Sequence, residues 1–86
     1  MIYSIEYLES VVKDDIPKLP KREKILIKRA IEERLLIDPM SFGKPLRYSL
    51  KGCRRIRVGD FRVIYKLASE SLVLIVKIAH RKEVYD

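Results

Sequence analysis

The first half of the chain has one short strand pattern followed by helical patterns. Tyr3, Ile5 and Tyr7 alternate with polar residues, which predicts a first strand. Residues 9–16 are then predicted to form a short helix. This helix should end near the proline at position 17, because proline does not easily continue a helix. The N-terminal part of the chain is therefore expected to pass from a strand directly into a helix.

A longer helix is predicted from Lys21 to about Ile37. Asp38 ends this pattern, because the residue before a proline disfavours helical geometry. Residues 40–45 are expected to form a loop. The apolar positions that share one face of this helix are Ile27, Ala30, Ile31, Leu35 and Ile37.

The second half of the chain predicts three strands, at residues 53–58, 61–68 and 72–79. These segments are rich in β-branched and aromatic residues, and turn signals separate them. Residues 80–86 are expected to form a strand end or a tail. The predicted fold class is α+β: one domain over residues 1–86, with a helical hairpin packed on one face of a small antiparallel sheet.

Composition excludes several classes of protein. The chain has 86 residues, one cysteine (Cys53) and one histidine (His80), too few ligands for a usual zinc site. No metal and no cofactor are therefore expected. A lone cysteine suits a reducing cytoplasm, and we find no apolar run of the roughly 20 residues that span a bilayer. A cytoplasmic protein is expected.

The positive charge lies in the second half of the chain. Residues 1–43 carry eight basic and eight acidic side chains, whereas residues 44–86 carry eleven basic and four acidic ones. The net charge of +7 therefore comes from the part that also holds the three predicted strands. This placement indicates an anionic partner for that part of the molecule.

The Gly59-Asp60 turn predicts how these charges are arranged. If these two residues form the whole loop, Arg57 lies opposite Arg62 in the hairpin. Like charges at opposed positions destabilise a sheet, so binding of an anionic ligand explains these arginines better than a role in stabilising the fold. The alternative is that they are simply exposed to water and bind nothing. Alternation assigns Arg55, Arg57, Arg62 and Lys66 to this face, and Ile56, Val58, Phe61, Val63 and Tyr65 to the core.

The C-terminal segment adds side chains that can transfer protons. His80, Arg81 and Tyr85 lie within six residues of one another. If Lys77 lies on the cationic face, alternation places Arg81 there too, beside the arginines of the hairpin. Taken singly, the histidine and the tyrosine are more typical of structural roles. Their position close to the predicted arginines favours a catalytic role instead.

The run from Leu50 to Tyr65, LKGCRRIRVGDFRVIY, followed by HRKEVY at residues 80–85, resembles the RelE/ParE toxin superfamily. With the helix pair, the resemblance covers essentially the whole chain. It implies a type II toxin restrained by a RelB-like antitoxin, encoded beside it. RelE-like members cleave mRNA in the ribosomal A site without a metal, and ParE-like members inhibit DNA gyrase.

The resemblance also implies roles for particular residues. Tyr85, Arg81, His80 and Arg62 would form the catalytic set, with Tyr85 as base and either His80 or Arg81 as acid. Arg55, Arg57 and Lys66 would bind RNA phosphate; the first two positions are commonly lysines in the best-known RelE. The arginines favour the RelE-like activity, with a gyrase inhibitor and a non-catalytic module that binds RNA or the ribosome as alternatives.

Overall fold

The computed structural model describes residues 2–84, and Tyr85, the predicted base, lies outside the described residues. Strand β1 spans Ser4–Tyr7, and helical segments Val11–Asp15 and Ile16–Lys18 form what we call the first helix. The remaining elements are α1 (Lys21–Ala30) with a helical extension (Ile31–Leu35), α2 (Pro39–Phe42), β2 (Lys44–Pro45), a turn (Tyr48–Leu50), β3 (Arg54–Val58), β4 (Phe61–Leu67), β5 (Leu72–His80) and a closing turn (Arg81–Glu83).

The five strands form one mixed sheet in the order β1-β5-β4-β3-β2. Strands β3, β4 and β5 form the antiparallel meander that was predicted, β2 pairs antiparallel with β3 at the edge, and β1 pairs in parallel with β5. The first helix and α1 pack on one face of this sheet, so the predicted α+β architecture is confirmed. No helix within residues 2–84 is long and apolar enough to cross a bilayer.

The core lies between the helices and one face of the sheet. The helical positions Ile27, Ala30, Ile31 and Leu35 are all buried there, as their spacing predicts. Ile37 is 56% exposed and lies beyond the helix, so its assignment to the apolar face was wrong. Asp15 joins the first helix to the sheet, because its carboxylate accepts a hydrogen bond of 2.9 Å from the backbone N–H of Ile78.

Helix α2 and strand β2 occupy the segment predicted as a loop. Asp38 is the N-cap of α2: its side chain accepts hydrogen bonds from the backbone N–H of Ser41 at 3.3 Å and from its hydroxyl at 2.6 Å. Pro39 stands at the first helical position, where its missing N–H costs nothing. The Asp38-Pro39 pair therefore ends one helix and also begins the next.

Tyr65 anchors this segment to the sheet. Its buried hydroxyl donates to the carbonyl of Pro39 at 2.6 Å, and Arg54 donates to the carbonyls of Met40 and Gly43. Burial raises the pKa of Tyr65, which keeps the phenol protonated and able to donate. A Cβ atom on Gly43 would lie 1.8 Å from the Tyr65 hydroxyl oxygen, so this close approach requires glycine.

Candidate nucleic-acid interface and cleavage site

The hairpin of β3 and β4 has the register that its two-residue turn predicts. Arg57 pairs with Arg62, and Arg55 pairs with Ile64. Gly59 supplies the positive φ angle of 60° that such a turn needs. The core side chains Ile56, Val63 and Tyr65 are buried on the helix side. Arg55, Arg57 and Arg62 therefore lie together on the opposite side of the sheet, which we call the cationic face.

Strand β5 adds two positions to this face, both on the same side of a bulge. Lys77 pairs with Ile64, which places Lys77 on the cationic face, and Ala79 pairs with Arg62. The register shifts between Ile64 and Tyr65, so that Tyr65 pairs with Ile75. Ile64 is fully buried and Ala79 is 8% exposed, so the centre of the face has small or apolar residues between its cations.

Arg62 is held against the hairpin turn. Its Nη1 donates to the carbonyls of Gly59 at 3.1 Å and Phe61 at 2.9 Å. Partial desolvation lowers the pKa of Arg62, and the positive charges of Arg57, Arg55 and Arg81 lower it further, while Asp60 opposes them. Three other guanidinium groups thus lie near enough to Arg62 to act on its charge.

Arg81 joins this cluster through Asp60. The backbone N–H of Arg81 donates to the Asp60 carbonyl at 2.8 Å, and Arg81 Nε lies 3.6 Å from Asp60 Oδ1. One turn residue therefore fixes the backbone of Arg81 and also provides the counter-charge for its side chain. The structure brings together, as predicted, the four residues that we call the arginine cluster: Arg55, Arg57, Arg62 and Arg81.

Two predicted site residues lie apart from the arginine cluster. His80 pairs with Phe61 on the helix side of the sheet, where the two rings meet edge to face at 5.6 Å between centroids. Its Nδ1 accepts a hydrogen bond of 3.1 Å from the Lys82 backbone N–H. Lys66 shares the cationic face but lies four residues from Arg62 along β4, roughly 13 Å at the usual rise per residue. Both roles remain predictions.

Sequence reasoning missed two further contributors. Lys44 pairs with Arg55 across β2 and β3, which adds a cation to the edge of the cationic face. Asp60 was taken only as a turn residue, although its carboxylate also faces Arg81. The proline after Lys44 is compatible with an edge strand at this point, since proline in sheets is confined to edges and bulges. Within residues 2–84, no group of three or more histidine, cysteine or acidic side chains is placed to bind a metal.

A family model described as the ParE toxin of the type II toxin–antitoxin system parDE matches residues 7–85 of this chain. The chain belongs to the RelE/ParE toxin superfamily. It is 30% identical to Toxin RelG of Mycobacterium tuberculosis over 86 residues, 99% of this chain and 98% of that protein. It is 35% identical to Toxin RelE of the same organism over 72 residues, 83% of this chain and 74% of that protein.

Solved structures of RelE-type toxins have the same fold. The toxin–antitoxin complex RelBE2 of M. tuberculosis gives a TM-score of 0.84 at 29% identity, with 94% of this chain and all of that chain covered. A mutant of E. coli toxin RelE in the free state gives 0.76 at 19% identity, with 96% of this chain and 87% of that chain covered. This chain is thus a type II toxin whose named relatives are RelE-type.

Asp60 offers a first test of how this toxin's site is organised. Asp60→Asn keeps the backbone carbonyl but removes the carboxylate that faces Arg81, so Arg81 loses its orientation beside Arg62. We expect the inducer concentration that halves the growth rate to rise about tenfold, which corresponds to a loss of roughly 1.4 kcal/mol. Glu70→Gln, in the turn between β4 and β5, is the charge-matched control. Equal toxicity of wild type and Asp60→Asn would contradict the positioning role.

Proposed function

We propose that this toxin is a metal-free endoribonuclease that cleaves mRNA in the ribosomal A site and so stops translation. The observation that carries the proposal is the arginine cluster, in which Arg57 and Arg62 are directly opposed on an open face of the sheet. Guanidinium groups bind phosphate through bidentate hydrogen bonds, and crowding them destabilises a sheet that has no anion to bind. The RelE-type names of its relatives support the same activity.

In the proposed reaction, the ribose 2′-oxygen attacks the adjacent phosphorus and the bond from phosphorus to the 5′-oxygen breaks. The proton of the 2′-hydroxyl passes to a base, and the leaving 5′-oxygen takes a proton from an acid. Arg55, Arg57 and Arg62 stabilise the negative charge that builds up on the non-bridging oxygens of the five-coordinate phosphorane. The products are a 2′,3′-cyclic phosphate and a 5′-hydroxyl end.

The proposed acid is argued from the geometry of the site, and the proposed base from the family resemblance. Arg81 belongs to the arginine cluster, whereas His80 lies on the other side of the sheet, so the geometry favours Arg81 beside the leaving group. In general, an imidazolium gives up a proton more easily than a guanidinium does. Tyr85 is the proposed base on the family resemblance. His80→Gln separates the two acids, because it should leave cleavage intact if Arg81 is the donor.

The partners follow from the same family. Similar toxins have been solved in complex with the antitoxins RelB and DinJ. We propose that an antitoxin of this kind restrains the present toxin in the cytoplasm, and that mRNA on the ribosome is its substrate. An acidic antitoxin segment would be drawn to a chain of net charge +7.

Inhibition of DNA gyrase is the second candidate function, because the matching family model is described as ParE. The purified toxin should be added to a cell-free translation reaction and, separately, to gyrase with relaxed plasmid. Our proposal predicts shortened mRNA with 5′-hydroxyl ends and unchanged supercoiling. Inhibited supercoiling with intact mRNA would reject the nuclease in favour of the gyrase inhibitor. Replacing the attacking ribose by 2′-deoxyribose should abolish cleavage.

A further inference from the structure

A groove runs along the outer edge of β3 and shares Arg55 and Arg57 with the arginine cluster. Strand β2 pairs only with Arg54 and Arg55, so the edge of β3 beyond these residues has no neighbouring strand. The groove has a volume of about 230 Å³. Its lining residues are Arg34, Phe42, Lys44, Arg55, Ile56 and Arg57.

Separate elements hold the groove in shape. Arg34, on the helical extension of α1, donates through Nη1 to the backbone carbonyl of Arg57 at 3.2 Å. Phe42 is the last residue of α2, which is capped by Asp38 and tied to the sheet through Tyr65. The groove is therefore set by the fold and does not depend on a free loop.

Phe42 is the unexpected component of this groove. The ring is 52% exposed although the residue is a large hydrophobic one, and it takes no part in the core cluster. Four cationic side chains line the same groove, and no carboxylate from residues 2–84 lines it. An aromatic ring beside a cationic track is the arrangement by which proteins bind single-stranded nucleic acid: the ring stacks on a base and the cations bind phosphates.

We propose that this groove is a nucleotide subsite for single-stranded RNA, in which Phe42 stacks on one base and Arg34 and Lys44 bind the neighbouring phosphate. The inference rests on the proposed nuclease function, because Arg55 and Arg57 line the groove and also belong to the arginine cluster. A strand whose scissile phosphate sits at the cluster continues over the edge of β3 into the groove. Phe42 thus holds the substrate without touching the reacting atoms.

The size and charge of the groove favour a nucleotide over a protein segment. Its volume of about 230 Å³ is below the roughly 300–1,000 Å³ of ordinary small-molecule pockets. An amphipathic helix would need several apolar anchors along a groove, whereas here Phe42 and Ile56 are the apolar side chains among four cations. One flat base between cations fits this lining better.

The test uses a fluorescent 2′-O-methyl RNA oligonucleotide, which cannot be cleaved by 2′-oxygen attack, and an abasic oligonucleotide of equal length. Affinity is measured by fluorescence anisotropy at low salt for wild type, Phe42→Ala, Phe42→Trp and Ile25→Ala. Ile25 is the matched control, since it is also 52% exposed but lies on α1. We expect Phe42→Ala to bind the RNA about tenfold more weakly, the loss of one stacked base. Phe42→Trp and Ile25→Ala should bind like wild type.

The abasic oligonucleotide isolates stacking from charge. Wild type and Phe42→Ala should bind it equally, because it presents phosphates but no base. Lys44→Ala should weaken binding to both oligonucleotides. It should also reduce the slope of log affinity against log salt concentration by about one, the loss of one phosphate contact. Lys21→Ala, on α1, is its control. Equal affinity of Phe42→Ala and wild type for the RNA, or no RNA binding by wild type, would overturn the subsite.

Cleavage assays on programmed ribosomes keep this inference separable from the proposed function. If wild type cleaves mRNA but Phe42→Ala binds RNA normally, the subsite alone is rejected. If Phe42→Ala binds RNA normally but no longer retains co-expressed antitoxin, the groove belongs to a protein partner and the subsite is again rejected. If wild type binds RNA through Phe42 but does not cleave, the nuclease proposal fails and the groove stands as an RNA-binding site.

Discussion

Arg62→Ala is expected to abolish growth arrest without destabilising the toxin. Arg62 lies at the centre of the arginine cluster, where Arg55, Arg57 and Arg81 all act on its charge. Removing one donor aimed at a developing oxyanion typically lowers kcat by about 10²–10³. The same change removes a like-charge pair across the hairpin, so the free energy of unfolding should stay equal or rise slightly.

Growth after induced expression and the thermal midpoint of the purified variant measure the two effects separately. Arg22→Ala is the control, because it removes an exposed guanidinium group from α1, on the other side of the sheet from the arginine cluster. Arg62→Lys should recover part of the activity, since it restores charge without the bidentate geometry. A folded Arg62→Ala variant that arrests growth like wild type would exclude the arginine cluster as the cleavage site.

Gly43→Ala is expected to lower stability strongly, although Gly43 has no catalytic role. Its added Cβ would meet the Tyr65 hydroxyl oxygen at 1.8 Å, and this hydroxyl is held in place by the Pro39 carbonyl. Overpacking of this kind costs about 1–3 kcal/mol. At roughly 4–8 °C per kcal/mol for a domain of this size, we expect the melting temperature to fall by about 4–24 °C. Differential scanning calorimetry provides the measurement.

The Tyr65→Phe background tests the cause of this loss. Tyr65→Phe alone leaves the Pro39 carbonyl without its donor, which costs about 1–3 kcal/mol for a buried group. It also removes the nearest atom that Gly43→Ala would meet, although the ring Cζ that phenylalanine keeps would still lie 2.7 Å from the added Cβ. The second substitution should therefore cost less in this background than in wild type, without becoming neutral. Fully additive losses would contradict the proposed clash between the two side chains.

The hairpin was predictable because one local signal fixes it. Gly59 and Asp60 set the turn, the turn sets the pairing of Arg57 with Arg62, and alternation sets the two faces. The buried helical positions followed from their spacing in the same way. These predictions depend on residues close in sequence, and the structure confirms them.

Other parts of the site depend on contacts between distant segments. His80 was grouped with the cluster because it is adjacent to Arg81 in sequence, yet adjacent strand residues face opposite sides. Lys44 joins the cationic face only because β2 pairs with β3, and two residues give too short a pattern to predict a strand. The exposed ring of Phe42 depends likewise on how Asp38 caps α2, which sequence interpretation treated only as the end of a helix.

The central claim is that the arginine cluster cleaves mRNA on the ribosome. The most direct measurement adds purified toxin to programmed 70S complexes and maps mRNA 5′ ends by primer extension, with Arg62→Ala and Arg22→Ala beside wild type. We predict cuts within the A-site codon for wild type and Arg22→Ala, and none for Arg62→Ala. Intact mRNA with a wild-type preparation that arrests growth in cells, or A-site cuts that persist in Arg62→Ala, would contradict the account.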